Sequence, residues 1–244
     1  MLQQLPASLI LTDRDNFALA RDLAAGAAEV LNVDSLDASL PDDNCAVAVS
    51  PERIAYIHFT SGSTGAPKGV AASHRSELHN IMKNTNVLKI SPQDRVSLLR
   101  SNNAGAARDT WLALLNGAAL CPLELRDEGL AGLGRWLTEA QITVFSCVTT
   151  VFRHALGTLS AVERVPTVRL VHIGGEPVTK NDVEAYKRHF TDSCVFVVRY
   201  SISETPAVSY FFIDKQSEID GDHVPVGYPL DGNEVFLLDD DGLE

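Results

Sequence analysis

"YIHFTSGSTGAPKGV", residues 56–70, passes from an apolar-alternating stretch into Thr60, Ser61, Gly62, Ser63, Thr64 and Gly65, followed after Ala66 by Pro67, Lys68 and Gly69. The alternation of "IAYIHFT" (54–60) predicts a strand, so the polar run is the loop that leaves its end. Gly62, Gly65 and Gly69 allow backbone conformations closed to other residues. Four hydroxyls and the open backbone N–H groups are donors, and Lys68 is a point charge. Such a loop suits phosphate oxygens. A polar turn between strands would also use Ser, Thr and Gly, but it does not require so long an unbroken run with Pro-Lys-Gly attached. A Walker A loop needs Gly before the Lys and Ser or Thr after it. Here Pro67 and Gly69 flank Lys68, so a P-loop NTPase is excluded.

Outward from this loop, short apolar runs alternate with segments of helical period. Strands are predicted at "SLILT" (8–12), "EVLNV" (29–33), "RVSLL" (95–99), "AALCPL" (118–123), "ITVFS" (142–146), "VRLVHI" (168–173), "CVFVVRY" (194–200) and "AVSYFFI" (207–213). Between them, helices are predicted at 13–26, 73–88, 107–117, 132–141, 150–159 and 180–190, the first capped by Thr12 or Asp13 and stopped at Gly26. Strands separated by helices of ten to fifteen residues imply βαβ units. The fold class is therefore α/β, with a largely parallel sheet covered on both faces. After Asp214 the pattern changes to strands and Gly/Pro turns without a helix, which predicts the start of a β-rich subdomain over 215–244.

Composition narrows the function. The 244 residues are 45% apolar and 21% charged, which is ordinary for a globular protein. No apolar run reaches the roughly 20 residues of a membrane span, and the N-terminus lacks the pattern of a secretory signal. A cytoplasmic location and no membrane partner are the expectation. A net charge of −12 without a basic block argues against nucleic acid. Cys45, Cys121, Cys147 and Cys194 form no Cys-x-x-Cys pair, and the seven histidines form no His-Glu-x-x-His pattern. Neither zinc nor a disulfide framework is indicated.

"YIHFTSGSTGAPKGV" closely resembles the phosphate loop of the AMP-forming adenylating superfamily, which holds acyl-CoA synthetases, peptide-synthetase adenylation domains and luciferases. Further stretches resemble that family in the same order. "HIGGEP" (172–177) is similar to its adenine-side segment, and "RYSISETPA" (199–207) to its Tyr-Gly-Pro-Thr-Glu-Thr motif. "VPVGYPLDGNEVFLLDDDG" (224–242) is similar to the lead into its β-rich subdomain, and "DTWLALLNGAAL" (109–120) to the helix and strand of peptide-synthetase-type members.

The resemblance implies attack of a carboxylate on the α-phosphate of ATP, giving acyl-AMP and pyrophosphate, with ATP and Mg²⁺ as cofactors. It assigns the phosphates to Thr60, Ser61, Gly62, Ser63, Thr64, Gly65 and Lys68. Glu204 becomes the Mg²⁺ ligand and Thr205 an α-phosphate contact, so Lys68, Glu204 and Thr205 are the catalytic set. A surface loop acid is the plain alternative for Glu204. Gly174, Gly175, Glu176, Pro177, Tyr200 and Ser201 surround adenine. Aligning on the "WLALLNG" helix places Ala104, Gly105, Arg108, Ser146, Val171, Ile173, Arg199 and Ala207 in the acyl pocket. Ala104 stands where amino-acid-activating members carry an Asp for the substrate ammonium, which argues against ordinary α-amino acids. Arg108 and Arg199 either reach the substrate or pair internally, Arg199 with Asp109 for example. The partners implied are a small carboxylic acid and a carrier-protein or CoA thiol as acceptor. Residues 1–214 are then a partial adenylation core, and the C-terminal lobe with its catalytic Lys is expected to be absent. Such a fragment would bind ATP weakly and be inactive alone. A nucleotide-binding or scaffold role without chemistry is the rival, since it uses the same residues.

Overall fold

The structure is a computed structural model that describes residues 5–60, 68–99, 104–125, 129–202, 204–205 and 207–243, and the side chain of Ala104 lies outside the described set. The chain divides into two compact units: residues 1–53 with 59–69, and residues 54–58 with 70–244.

The first unit holds β1 (Leu9–Thr12), α1 (Phe17–Ala24) and β2 (Glu29–Asn32). β1 and β2 pair in parallel, Leu9 opposite Glu29, as a two-stranded βαβ unit. Helix α1 is shorter than the predicted 13–26. The Asp13 carboxylate accepts from the Asn16 N–H at 2.8 Å and holds a turn before the helix instead of capping it. Ala25, in the left-handed region at φ 46°, closes the helix ahead of Gly26.

β3 (Ile54–Thr60) and β4 (Lys68–Ser73) pair with each other as a separate two-stranded sheet and do not join the parallel one. Their residues are divided between the two units. Ser73 then caps α2 (His74–Leu88), its hydroxyl accepting from Ser76 N–H at 3.2 Å. The rest of the second unit alternates as predicted: β5 (Arg95–Leu98), α3 (Ala104–Leu114), β6 (Ala119–Pro122), α4 (Leu133–Glu139), β7 (Val144–Val148), α5 (Thr149–Gly157), β8 (Leu170–Gly174), α6 (Lys180–His189), β9 (Val195–Tyr200), β10 (Ser209–Ile213) and β11 (Tyr228–Pro229).

These strands form one seven-stranded sheet in the order β11-β10-β9-β8-β7-β5-β6. It is parallel from β6 to β9, and β10 and β11 are antiparallel. Strand alternation sends successive side chains to opposite faces, and each face has its own core. Phe145, Cys147, Val171, Ile173, Phe196 and Val198 pack with Leu133 and Leu137 of α4, Phe152 of α5, and Val183 and Tyr186 of α6. Val96, Val144, Leu170, Val197 and Tyr210 pack on the other face with Ile81 and Leu88 of α2 and Leu112 and Ala113 of α3. Both faces of the parallel strands are covered, as near-continuous apolar runs require. Among the described residues 215–243 the only strand is β11, which extends the large sheet. Among the described residues no helix is long and apolar enough to cross a membrane, and all four cysteines are free thiols.

A candidate nucleotide groove at the strand ends

At the carboxyl ends of β8 and β9 lies a groove of about 460 Å³. Its walls are residues 175–178, residues 198–201, and His223, Val224 and Val226. Ligand crevices of open α/β sheets lie at strand ends of this kind.

The first wall depends on two glycines. A Cβ on Gly174 would lie 2.3 Å from the Arg199 carbonyl oxygen, so only glycine allows β8 and β9 to approach there. Gly175 turns the chain at φ +91°, in the region that favours glycine. The following loop is fixed to α5. The Glu176 carboxylate accepts from Thr150 N–H at 2.8 Å and from the Thr150 hydroxyl at 2.7 Å, and Thr149 Oγ1 donates to Glu176 O at 3.2 Å. Glu176 therefore stabilises the open N-terminus of α5, whose own N-cap, Val148, has no side-chain acceptor.

The second wall ends in Tyr200, 46% exposed. Beyond Tyr200 the described residues 201–202, 204–205 and 207–208 lie between β9 and β10. Val208 N–H donates to Tyr200 O at 2.9 Å, and Ile202 N–H to Thr205 O at 3.2 Å. Glu204 and Thr205 are both exposed in this segment. Buried Ala207 sits in the left-handed region at φ 56°. Asn233 holds the segment's exit, its side-chain amide donating to Ala207 O at 3.0 Å and Val208 O at 2.9 Å, while Lys83 of α2 donates to its oxygen at 2.9 Å. Sequence reading did not single out Asn233, although it stands inside the quoted "PLDGNEV".

The third wall was also missed. His223 and Val224 are drawn against residues 178–180 by Val224 N–H to Val178 O at 2.9 Å and Lys180 N–H to Asp222 O at 3.0 Å, with a bridge between Thr179 and His223. Thr179 and His223 stand 44 positions apart in the chain, and no local pattern announces their pairing.

The structure thus brings Gly175, Glu176, Pro177, Tyr200 and Ser201 to one groove, with Gly174 beneath it. Thr60 ends β3 and Lys68 begins β4. Ser61, Gly62, Ser63, Thr64 and Gly65 lie outside the described residues, and so does Pro206. The residues expected to line an acyl pocket are divided by the sheet. Val171 and Ile173 are fully buried in the α4–α6 core, whereas Ser146 and Arg199 fall, by strand alternation, on the α2–α3 face. His172 and Gly174 share that second face, because a shift of one residue moves a strand's side chains across the sheet. The His172 ring packs edge-on against Tyr210 with centroids 5.3 Å apart. Buried Ser146 donates to both Asp109 carboxylate oxygens at 3.3 Å. Buried Tyr210 donates to Asn84 Oδ1. Burial raises the Tyr210 pKa above the usual phenol value, while Arg199 draws it down and Asp109 pushes it up, so both charges lie near that hydroxyl.

A doubly covered parallel sheet with a glycine-floored groove at its strand ends defines an α/β protein of the open-sheet class. The chain belongs to the family described as "AMP-binding enzyme", which matches residues 2–244. It is 25% identical over 246 residues to tyrocidine synthase 1 of Brevibacillus parabrevis, covering 99% of this chain and 22% of that protein. It is 30% identical over 234 residues to the nonribosomal peptide synthetase vlms of a Lecanicillium species, covering 92% of this chain and 2% of the other. Among solved structures it resembles the Vibrio cholerae adenylation domain AlmE in complex with glycyl-adenosine-5'-phosphate, at 23% identity and a TM-score of 0.76, over 96% of this chain and 44% of that one. The nonribosomal peptide synthetase FmoA3 gives 18% identity and a TM-score of 0.83 over 98% of this chain and 26% of its own. These two structural likenesses establish the fold. The chain spans well under two thirds of the length of each of these relatives.

Proposed function

We propose that this chain carries the nucleotide- and acid-binding part of an ATP-dependent carboxylate-adenylating enzyme of the peptide-synthetase type. The observation that carries the reading is the groove, where segments 174–177 and 199–201 meet although 22 residues lie between Pro177 and Tyr200 (178–199). Its size and glycine floor suit a planar base, with the Tyr200 ring as a stacking surface. Lys68 and the hydroxyls of the Gly/Ser/Thr loop would hold the β- and γ-phosphates.

Glu204 and Thr205 would meet Mg²⁺ and the α-phosphate. Mg²⁺ is usually held by one or two carboxylates together with substrate phosphates, and Glu204 would supply such a carboxylate. Bound Mg²⁺ would neutralise phosphate charge. The chain's own work is to align carboxylate and α-phosphate and to hold developing charge. A carrier-protein or CoA thiol is the proposed acceptor, and the relative named as a nonribosomal peptide synthetase supports the former. The 244 residues alone are proposed to bind Mg·ATP weakly without appreciable turnover.

Calorimetric titration of the purified chain with Mg·ATP tests the reading. Binding is expected to be weakened at least about tenfold, or about 1.4 kcal/mol, by Tyr200→Ala and by Lys68→Ala separately. Absence of binding at millimolar Mg·ATP, or binding indifferent to both substitutions, would remove the nucleotide assignment. Acid-dependent ATP–pyrophosphate exchange by the same chain would refute the absence of turnover.

A further inference from the structure

Outside the groove, three elements of the second unit direct polar groups to one place. Tyr56 and His58 stand two residues apart on β3, on one face of the strand, with ring centroids 4.2 Å apart. Glu77 lies in the first turn of α2 and is only 5% exposed. Arg108 lies on α3, one helical turn after Ala104. The Glu77 carboxylate and the Arg108 guanidinium both lie within hydrogen-bonding reach of the Tyr56 phenol, and both charges act on the His58 imidazole. Yet three atoms of this cluster, Tyr56 Oη, His58 Nε2 and Glu77 Oε1, are buried without a hydrogen bond of normal geometry among the described residues.

Native proteins seldom leave buried polar atoms unsatisfied, and each such atom implies a role, a water or a ligand. Tyr56 and Glu77 lie within reach of each other but close no bond of normal geometry, and His58 Nε2 has none, so one shared partner would satisfy all three. Its chemistry follows from the groups. Glu77 Oε1 only accepts. The Tyr56 hydroxyl donates or accepts. Burial, then the Arg108 charge, holds the His58 pKa below the ordinary imidazole value despite Glu77, so His58 is neutral at pH 7 and Nε2 serves in either sense. A carboxylate entering the cluster would face Glu77, and an ammonium would face Arg108. A neutral group that both donates and accepts meets neither penalty.

We propose that Tyr56, His58 and Glu77, with Arg108, form a recess for a hydroxyl or carboxamide at the far end of the acid. This assignment rests on the adenylation reading, which places the acid beside the first turn of α3. The substrate class is then an ω-hydroxy or ω-carboxamide acid, not a plain aliphatic one.

The test uses the 244-residue chain saturated with Mg·ATP and five matched probes: pentanoic, 5-hydroxypentanoic, 5-amino-5-oxopentanoic, glutaric and 5-aminopentanoic acids, with homologues one carbon shorter and longer. The hydroxyl or carboxamide probe is expected to bind about tenfold more tightly than its methyl, carboxylate and ammonium counterparts. Glu77→Leu should reduce that preference to within about twofold while leaving Mg·ATP affinity unchanged, and Glu77→Gln, which keeps shape and one acceptor, should retain part of it. Equal affinity for all five probes with Mg·ATP binding intact means an ordered water fills the cluster, and overturns the recess alone. A preference that survives Glu77→Leu and His58→Phe overturns it too. Loss of Mg·ATP binding by the wild-type chain overturns the adenylation reading and the recess together.

Discussion

Asp94 joins more of the second unit than any sequence motif would indicate. It is 3% exposed and receives two bonds from Arg169, Nε to Oδ1 at 2.8 Å and Nη2 to Oδ2 at 2.7 Å. Ser91 N–H donates to it at 2.9 Å and the Thr143 hydroxyl at 2.7 Å. Arg169 also donates to Leu88 O at 3.3 Å and Lys89 O at 2.9 Å, closing the C-terminus of α2. Burial would raise the Asp94 pKa, but the Arg169, Thr143 and Ser91 bonds outweigh it and hold the carboxyl below the ordinary range. The folded state therefore binds fewer protons than the unfolded state between the two pKa values, and stability rises with pH there. The contribution is complete above the usual Asp value of about 4 and disappears as pH falls through the folded pKa. Asp94→Asn should cost about 1.5–3 kcal/mol at pH 7. Urea titrations from pH 7 to 3 should find the gap to wild type closing in acid; a constant gap would show that Asp94 acts by shape alone.

At the scale of elements, helix α6 supports one wall of the groove, because residues 178–180 lead directly into it. Asp182 accepts from Thr179 N–H at 2.8 Å and from its hydroxyl at 2.9 Å, reaching back as the acid of a capping box does. Arg153 of α5 donates to the same carboxylate through Nε and Nη2, both at 2.8 Å, and to Pro177 O at 3.1 Å. The far end of α6 is held by Lys215, whose ammonium donates to the carbonyls of Tyr186, Lys187 and Phe190 at 2.8–3.1 Å. Asp182→Ala should destabilise the chain by about 2 kcal/mol, the upper end for a lost cap, and it should also weaken nucleotide binding because the Pro177 wall loosens. Thermal melts with and without Mg·ATP would separate the two effects. A fall in melting temperature with unchanged nucleotide affinity would restrict α6 to stability. The helix itself was legible in "KNDVEAYKRHF", but the Arg153 and Lys215 bonds come from residues 29 and 25–29 positions away and had no local signal.

For the whole molecule, the two units differ in how much they bury. Among the described residues 5–53 only Ala20 and Ala24 are buried, while Leu9, Leu11, Leu19 and Leu23 are exposed. The second unit holds both sheet cores. Local opening is governed by buried apolar contact and protected hydrogen bonds. Hydrogen exchange should therefore be fast over β1, α1 and β2 and slowest over β7, β8 and β9. Equal protection of the two groups would mean that the apolar residues of the first unit are covered in solution. A self-association that grows with protein concentration would identify a second copy as the cover.

Alternation of period 2 and period 3.6 was enough to predict an α/β chain and nearly every element, because those periods decide which residues one covered sheet and its helices can bury. The loop "FTSGSTGAPKGV" was enough to suggest phosphate chemistry, because hydroxyls, glycines and a lysine lie within one short run. Which face each side chain takes was decided only by tertiary structure. The family resemblance put Val171 and Ile173 with Ser146 and Arg199, but the strands' register sends the first pair to the α4–α6 core and the second to the α2–α3 face. The same holds for His223, Asn233 and the cluster of Tyr56, His58, Glu77 and Arg108. Each is assembled from segments far apart in the chain, and only packing, with its demand that buried polar groups be satisfied, sets them beside one another.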